Sequence, residues 1–135
     1  MPEPATIPAD SLDLFQKPFL GDLSYLNGRA QIVTFPVWVD FDGTNVLTSS
    51  PVGSRKGRAL RERNQVAVCV VDSQDGGHWV SISGRVVEIR PDEDLAFADR
   101  MAQKYMGSDY PLRTPREVFA IAIDRVSKPG VWARD

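Results

Sequence analysis

Two turn signals, Asn27-Gly28 and Asp42-Gly43, limit what the first part of the chain can fold into. Such dipeptides join antiparallel strands through two-residue turns, because these residues tolerate the positive φ angles that the turns require. The stretch between the two signals, residues 30–41, is rich in β-branched and aromatic residues, as strands are. The pattern therefore predicts an antiparallel meander with strands at 19–26, 30–41 and 44–49.

The rest of the chain alternates helical and strand patterns. A short helix is expected at 9–16, a basic helix at 55–63, and a longer helix that Pro91 opens and that runs to about 106. Further strands are expected at 65–71, 78–89 and 118–126, with a bulge or close backbone approach at Gly84. We therefore expect a mainly β fold, a six-stranded antiparallel barrel whose closure leaves no exposed strand edge. One helix follows strand three and the longer helix precedes the last strand.

Length and composition fit a single domain. The chain has 135 residues, of which 42% are hydrophobic and 25% charged, values ordinary for a folded protein with one core. Residues 8–127 form the expected domain, preceded by a Pro-rich, disordered leader at 1–7 and followed by a C-terminal tail at 128–135.

Charge and cysteine content argue against several classes of protein. A net charge of −2 disfavours nucleic-acid binding and binding to anionic membranes. No apolar run approaches the roughly 20 residues that span a bilayer, and no signal-peptide pattern is present, so the cytoplasm is the expected compartment. The single cysteine, Cys69, lies in the apolar run 66–71 and is expected to be a buried thiol.

The start of the basic helix has an unusual order of charges. Ser54 is a good N-cap, yet the first turn carries cations, which the positive end of a helix dipole disfavours by about 0.3–1 kcal/mol each. Cations there, beside bare backbone at Gly57 and several hydroxyl groups, suit a bound anion such as a phosphate ester. The residues of this candidate anion site are Ser49, Ser50, Ser54, Arg55, Lys56 and Arg58. A solvated basic helix face is the alternative.

Side-chain chemistry for catalysis is sparse. No nucleophile elbow, Walker loop or Rossmann glycine pattern occurs. His78 is the only histidine, so neither a metal site nor a Ser-His-Asp triad is expected, and a half-buried strand histidine is favoured. Asp92 and its acidic neighbours at 93–94 are expected to complement a helix dipole. No side chain is nominated as a catalytic group, and an enzyme of this kind would depend on a bound organic cofactor.

Several motifs together resemble the FMN- and deazaflavin-binding split-barrel family, which is related to pyridoxamine 5′-phosphate oxidase. The resemblance covers about residues 8–127, in the order of the family. Its motifs are P-V-W-V-D-F-D-G at 36–43, S-R-K-G-R-A-L at 54–60, V-A-V-C-V-V-D at 66–72 and W-V-S-I-S-G-R-V at 79–86.

The resemblance implies a homodimer of split barrels with two cofactors at the subunit interface. The end of strand three and the helix start would hold the cofactor phosphate, which nominates Ser49, Arg55, Lys56 and Arg58. The P-V-W strand would line the ring system, which nominates Thr34, Pro36, Val37 and Trp38. Trp79 would come from the partner subunit. Strand tryptophans are alternatively core or interface aromatics, and the sequence does not assign a role to Trp132.

The first hairpin departs from the family pattern. The segment from Gly28 to Pro36 is two residues longer than usual, and the first strand reads G-D-L-S-Y-L. A bulge or an altered first hairpin accounts for both, and it puts Gln31 and Thr34 in doubt as ring contacts.

The resemblance favours an oxidoreductase that binds the deazaflavin coenzyme F420 and transfers hydride to a conjugated organic acceptor. W-V-S-I-S-G-R-V and the late A-Q-K-Y…T-P-R-E-V pattern are most similar to the deazaflavin-dependent branch. Two alternatives stay open: an FMN-dependent reductase or oxidase of the same fold, and a non-catalytic protein that binds a cofactor or tetrapyrrole.

Overall fold

β-Rich segments and turns build one curled antiparallel sheet in the computed structural model, which describes residues 5–130. The strands are β1 (Gly21–Leu26), β2 (Ile32–Val37), β3 (Asp40–Phe41), β4 (Val46–Pro51), β5 (Gln65–Asp72), β6 (Asp75–Pro91) and β7 (Arg116–Ser127). The α-helices are α1 (Asp13–Gln16), α2 (Arg55–Glu62) and α3 (Ala96–Met106), with 3₁₀ turns at Ala9–Ser11 and Glu93–Leu95. The mainly β fold is thus confirmed, as are a helix after the third predicted strand and a longer helix before the last strand.

The sheet has seven strands rather than six, in the order β2-β1-β5-β6-β7-β4-β3. The expected closure was wrong, because β2 and β3 do not pair with each other and remain the two edges of a curled, half-barrel sheet. The predicted strand at 30–41 breaks after Val37, so that β2 pairs with β1 at one edge and β3 pairs with β4 at the other. Side chains of α3 satisfy the backbone at the break. The Tyr105 hydroxyl accepts a hydrogen bond from the Val39 N–H at 3.1 Å, and Lys104 Nζ donates to the Val39 carbonyl at 2.7 Å. Only two residues, Trp38 and Val39, separate β2 at one edge of the sheet from β3 at the other.

The first hairpin differs from the two-residue turn that Asn27-Gly28 predicts. β1 and β2 are joined by a loop at 27–31, because Leu26 pairs with Ile32. The residue with positive φ is Ala30, at +56°, rather than Gly28. The Asn27 side chain holds the loop by accepting hydrogen bonds from the backbone N–H groups of residues 29 and 31. The longer loop is the altered first hairpin expected from the two extra residues.

The core is covered by one face of the sheet. In β5, Val66, Val68 and Val70 are buried, whereas Cys69 lies half-buried on the opposite face. The expectation of a fully buried thiol was wrong because the strand alternates instead of being covered on both faces. In β6, a Cβ at Gly84 would lie 1.9 Å from a backbone oxygen of β7, which confirms the close approach.

The start of the long helix is also corrected. Pro91 ends β6, and α3 begins five residues later. Asp92 joins the two elements, because its carboxylate accepts hydrogen bonds from the N–H groups of Phe97 at 2.8 Å and Ala98 at 2.9 Å. The expected role of Asp92 at the positive end of this helix is confirmed.

Within residues 5–130, none of the helices has the length and apolar character needed to cross a membrane. The first four residues of the expected leader and the end of the expected tail, including Trp132, lie outside the described residues.

Candidate functional site

The main cavity of the described chain, about 480 Å³ in volume, lies where β2, β4, α3 and the 107–115 loop meet. One wall is polar and cationic, and the others are apolar. The lining residues are Leu20, Pro36, Val37, Trp38, Thr48, Ser49, Lys56, Ala98, Met101, Met106, Tyr110, Pro111 and Arg116. Five residues of the sequence prediction are among them: Pro36, Val37, Trp38, Ser49 and Lys56.

Two cations converge on Ser49 at the polar wall. Lys56 Nζ approaches the Ser49 carbonyl oxygen at 3.4 Å, and Arg116 Nη2 donates to the Ser49 hydroxyl at 3.0 Å. No aspartate or glutamate of residues 5–130 is among the residues that line this cavity. The polar wall therefore carries two positive charges without a facing carboxylate.

Strand alternation separates Arg116 from the acid that follows it. Arg116 is the first residue of β7, and its side chain lines the cavity. Glu117 is buried on the other side of the strand, where it forms two hydrogen bonds with Arg61 of α2, at 2.8 and 2.6 Å. The side-chain hydrogen bond from Arg61 holds the pKa of Glu117 below its ordinary value. The acid thus anchors α2 and leaves the cationic wall uncompensated.

Two further observations indicate that this wall suits an anion. Desolvation, together with repulsion from Arg116, lowers the pKa of Lys56. Arg116 Nε is a buried donor without a hydrogen-bond partner among the described residues. A buried donor of this kind costs about 1–3 kcal/mol when unpaired, and an anionic oxygen would satisfy it. A phosphate or carboxylate group therefore fits the residues present.

Aromatic residues connect the cationic wall with the apolar walls. The Trp38 ring stacks on Tyr105 at 5.2 Å with an interplanar angle of 5°, and Tyr110 lies edge-on to Trp38 at 5.9 Å. Trp38 thus packs against the smaller hydrophobic cluster of α3 and also lines the cavity. Trp38 can therefore pack against the hydrophobic cluster and also contact a bound ligand.

Four predicted residues around α2 lie outside the cavity lining. Ser54 caps the helix, accepting a hydrogen bond from the Gly57 N–H at 3.0 Å and another from the buried Ser50 hydroxyl at 2.7 Å. Arg55 and Arg58 are exposed. Of the three cations expected at the helix start, the structure therefore brings only Lys56 to the cavity.

The remaining nominated residues are also placed elsewhere. Thr34 is exposed, and its hydroxyl shares a hydrogen bond of 2.8 Å with Ser24 of β1. Trp79 is half-buried beside a smaller cavity of about 290 Å³, next to His78 and Lys128. The assignment of Trp79 to the site of a partner subunit stays a prediction.

Eight lining residues were not nominated from the sequence, and Arg116 and Tyr110 are the two that contact the polar wall. Arg116 donates to the Tyr110 hydroxyl at 3.3 Å, and its guanidinium lies 4.9 Å from the centre of the Tyr110 ring. Both residues come from the end of the chain, more than 50 positions after Lys56. The antiparallel pairing of β4 with β7 brings Arg116 close to Ser49, and Tyr110 reaches the site through its contact with Arg116. Arg116 lies in the T-P-R-E-V pattern at 114–118, which contributed to the family resemblance but nominated no site residue.

The histidine makes a contact outside the main cavity. His78 Nε2 lies 2.9 Å from a carboxylate oxygen of Asp13, which ties β6 to α1. The side chain is half-buried, as expected from its place on a strand. Among residues 5–130, no group of three or more histidine, cysteine or acidic side chains is arranged to hold a metal ion.

Several solved structures share this fold. An F420 reductase is 19% identical, with a TM-score of 0.80 and coverage of 90% of this chain and 98% of that one. A conserved hypothetical protein from Mycobacterium tuberculosis is 19% identical, with a TM-score of 0.71 and coverage of 91% and 84%. HupZ from Group A Streptococcus is 16% identical, with a TM-score of 0.67 and coverage of 96% and 100%. At these identities the likeness shows the fold alone.

The family is shown by the sequence itself. No curated protein matches the chain significantly. Residues 23–128, more than half of the chain, match the family described as pyridoxamine 5'-phosphate oxidase. The match spans β1 to β7 and includes every residue of the cationic wall. It confirms the resemblance inferred from the motifs, and the chain belongs to the pyridoxamine 5'-phosphate oxidase family.

Proposed function

We propose that the protein is an oxidoreductase that holds a flavin-type cofactor in the main cavity, with coenzyme F420 as the cofactor and a conjugated organic molecule as the hydride acceptor. One observation carries the proposal: two cations without a facing acid stand at one end of a cavity whose other walls are apolar. A flavin-type cofactor combines an anionic phosphate with a largely apolar ring system. Family membership and the fold shared with an F420 reductase support the same class of reaction.

The residues of the polar wall would hold the phosphate. Lys56 and Arg116 supply the charge, and the unpaired Arg116 Nε supplies a donor that needs an acceptor. Ser49 lies between the two cations and offers its hydroxyl. Arg55 and Arg58 are exposed beside this wall, and their part in binding, which the resemblance implies, stays a prediction.

The apolar walls would receive the ring. Pro36, Val37 and Trp38 lie together at the end of β2, where the strand breaks. The contacts of Trp38 with Tyr105 and Tyr110 orient its ring plane in this wall. When bound, a reduced cofactor of this kind supplies the hydride. The chain's own residues anchor the anion, orient the ring and exclude water, and holding two reactants in place can supply several kcal/mol of the barrier reduction.

A homodimer is part of the proposal. Edge strand β2 exposes Ile32 by 80% and Phe35 by 51%. Large apolar side chains on an unpaired strand edge are the kind of surface that a second subunit covers. Sedimentation velocity of the full chain should give the mass of a dimer, and a monomer at micromolar concentration would contradict this part of the proposal.

The experiment that tests the function is a parallel titration of cofactor-free protein with F420 and with FMN, followed by stopped-flow oxidation of the reduced complex. Tight binding of F420 and its rapid oxidation by a conjugated acceptor would support the proposal. A preference for FMN would instead indicate the flavin-dependent enzyme. Binding of either cofactor without turnover would indicate a carrier, and binding of neither would refute the proposal.

A further inference from the structure

The 107–115 loop carries a set of contacts that neither the sequence motifs nor the family match explains. It connects α3 with β7, and two of its residues, Tyr110 and Pro111, line the main cavity. The loop sequence contains no recognisable binding motif. Its residues nevertheless form a continuous series of contacts from Asp99 of α3 to Arg116 at the cationic wall.

The first step is a clasp at the base of the loop. Asp99 of α3 accepts two hydrogen bonds from the Arg113 guanidinium, at 2.6 and 3.2 Å. The same carboxylate accepts a hydrogen bond from the Tyr110 N–H at 3.0 Å, and Arg113 donates to the Tyr110 carbonyl at 2.9 Å. The clasp therefore holds both backbone polar groups of Tyr110. The hydrogen bond from Arg113 keeps the pKa of Asp99 below its ordinary value, so the clasp stays charged.

The second step runs from Tyr110 to Arg116. The Tyr110 hydroxyl accepts a hydrogen bond from Arg116 Nη1 at 3.3 Å, and the guanidinium lies over the tyrosine ring at 4.9 Å. On the other side, Arg116 Nη2 is bound to the Ser49 hydroxyl at 3.0 Å. These contacts engage the two terminal nitrogens and leave Nε as the buried donor without a partner.

We infer that the 107–115 loop is a positioning element for the ligand's anionic group: the Asp99–Arg113 clasp fixes Tyr110, and Tyr110 orients Arg116 so that its Nε–H is available to the anion. The inference rests on the proposed anion site and adds residues that act through Arg116. Tyr110, Asp99 and Arg113 are positioning residues, and they act on the ligand through Arg116. A flexible arginine would lose side-chain freedom on binding, and a preoriented one has already lost it.

The test is a double-mutant cycle with inorganic phosphate as the probe, titrated into the full chain and followed by NMR shifts. Tyr110→Phe keeps the ring and removes the hydroxyl. It should weaken phosphate binding about threefold to tenfold, the range for loss of one intramolecular hydrogen bond. In the Arg116→Met background the same change should have no further effect, whereas in the Lys56→Met background the weakening should persist.

A structural role alone would give a different pattern. If Tyr110→Phe only loosened the loop, it would weaken binding equally with and without Arg116, and the inference would be overturned. An unchanged affinity in the single variant would overturn it as well. Asp99→Asn, which weakens the clasp without touching Tyr110's hydroxyl, should show the same dependence on Arg116, and its thermal unfolding curve reports whether the fold is intact.

The outcomes separate this inference from the proposed function. If Arg116→Met and Lys56→Met both leave phosphate affinity unchanged, the anion site itself is absent and both proposals fail. If these variants weaken binding but Tyr110→Phe does not, the anion site stands and only the positioning role is lost. The cofactor titration and the stopped-flow experiment test the redox activity independently of phosphate binding.

Discussion

Replacing Arg116 by methionine separates ligand binding from folding. The substitution keeps the apolar stem of the side chain and removes the guanidinium, including the unpaired Nε. Hydrogen bonds that involve a charged group contribute about 1.5–3 kcal/mol each. A loss of about 2 kcal/mol corresponds to roughly a 30-fold increase in Kd for the phosphate-bearing cofactor.

The same substitution should cost the free protein little stability. Arg116 has no carboxylate partner among the described residues, and its charge contributes to the lowered pKa of Lys56. Removing it frees the hydroxyl groups of Ser49 and Tyr110, which face the cavity and can bind water. It also removes the repulsion with Lys56, which offsets part of the lost contacts. We therefore expect a thermal midpoint close to that of the wild type.

The assay is calorimetric titration of wild type and Arg116→Met with F420 and with FMN, paired with thermal unfolding of the cofactor-free protein. Arg90→Met is the matched control, because Arg90 is an exposed arginine whose only described partner is Glu88. The control should change Kd by less than twofold, since exposed ion pairs contribute little. Equal affinities for wild type and Arg116→Met would show that Arg116 does not bind the anion. A cofactor-free variant whose thermal midpoint falls well below that of the wild type would show that Arg116 is needed for folding.

Three further predictions follow from other contacts. Anion affinity should fall as pH rises through the lowered pKa of Lys56, because this ammonium loses its proton at a lower pH than an exposed lysine does. Phosphate binding that does not change with pH between neutrality and the ordinary pKa of lysine would contradict this. Burial lowers the pKa of Lys104 from 10.5 to about 8, so the unfolded state binds more protons between these values and the free energy of unfolding should rise with pH there. Urea unfolding of wild type and Lys104→Met from pH 8 to 10 checks this, since the wild type should gain stability relative to the variant. Gly84→Ala would place a methyl group 1.9 Å from the Ala122 carbonyl oxygen. We expect the free energy of unfolding to fall by about 3 kcal/mol or more in the same urea assay. A fall of less than about 1 kcal/mol would show that β6 and β7 move apart at little cost.

The predictable part of the fold is the part that local patterns determine. Alternation and turn residues located the strand regions, although β2 and β3 were predicted as one strand. Ser54 marked the start of α2 because its side chain accepts the hydrogen bond that capping requires. Contacts distant in sequence were not predictable. The strand at 30–41 breaks because Lys104 and Tyr105, far along the chain, bind the backbone of Val39. Likewise, Ala30 rather than Gly28 takes the positive φ, because the Asn27 side chain organises a longer loop.

In the candidate site, too, local patterns were predictable and contacts between distant parts of the chain were not. Lys56 and Ser49 were predicted from the basic helix start, and Pro36–Trp38 from the family resemblance. The structure brings all of them to one cavity. Arg116 could not be found in this way, because its relation to Ser49 depends on the pairing of β4 with β7. Arg55, by contrast, was nominated together with Lys56. The helix turns the two side chains in different directions, and only Lys56 reaches the cavity.

A crystal structure of the full chain with F420 or FMN bound would show where the cofactor phosphate lies. We expect a phosphate oxygen within hydrogen-bond distance of Arg116 Nε, with Lys56 Nζ in contact with the same group and the ring against Pro36–Trp38. A phosphate held elsewhere, with Arg116 Nε still lacking an acceptor, would contradict this expectation.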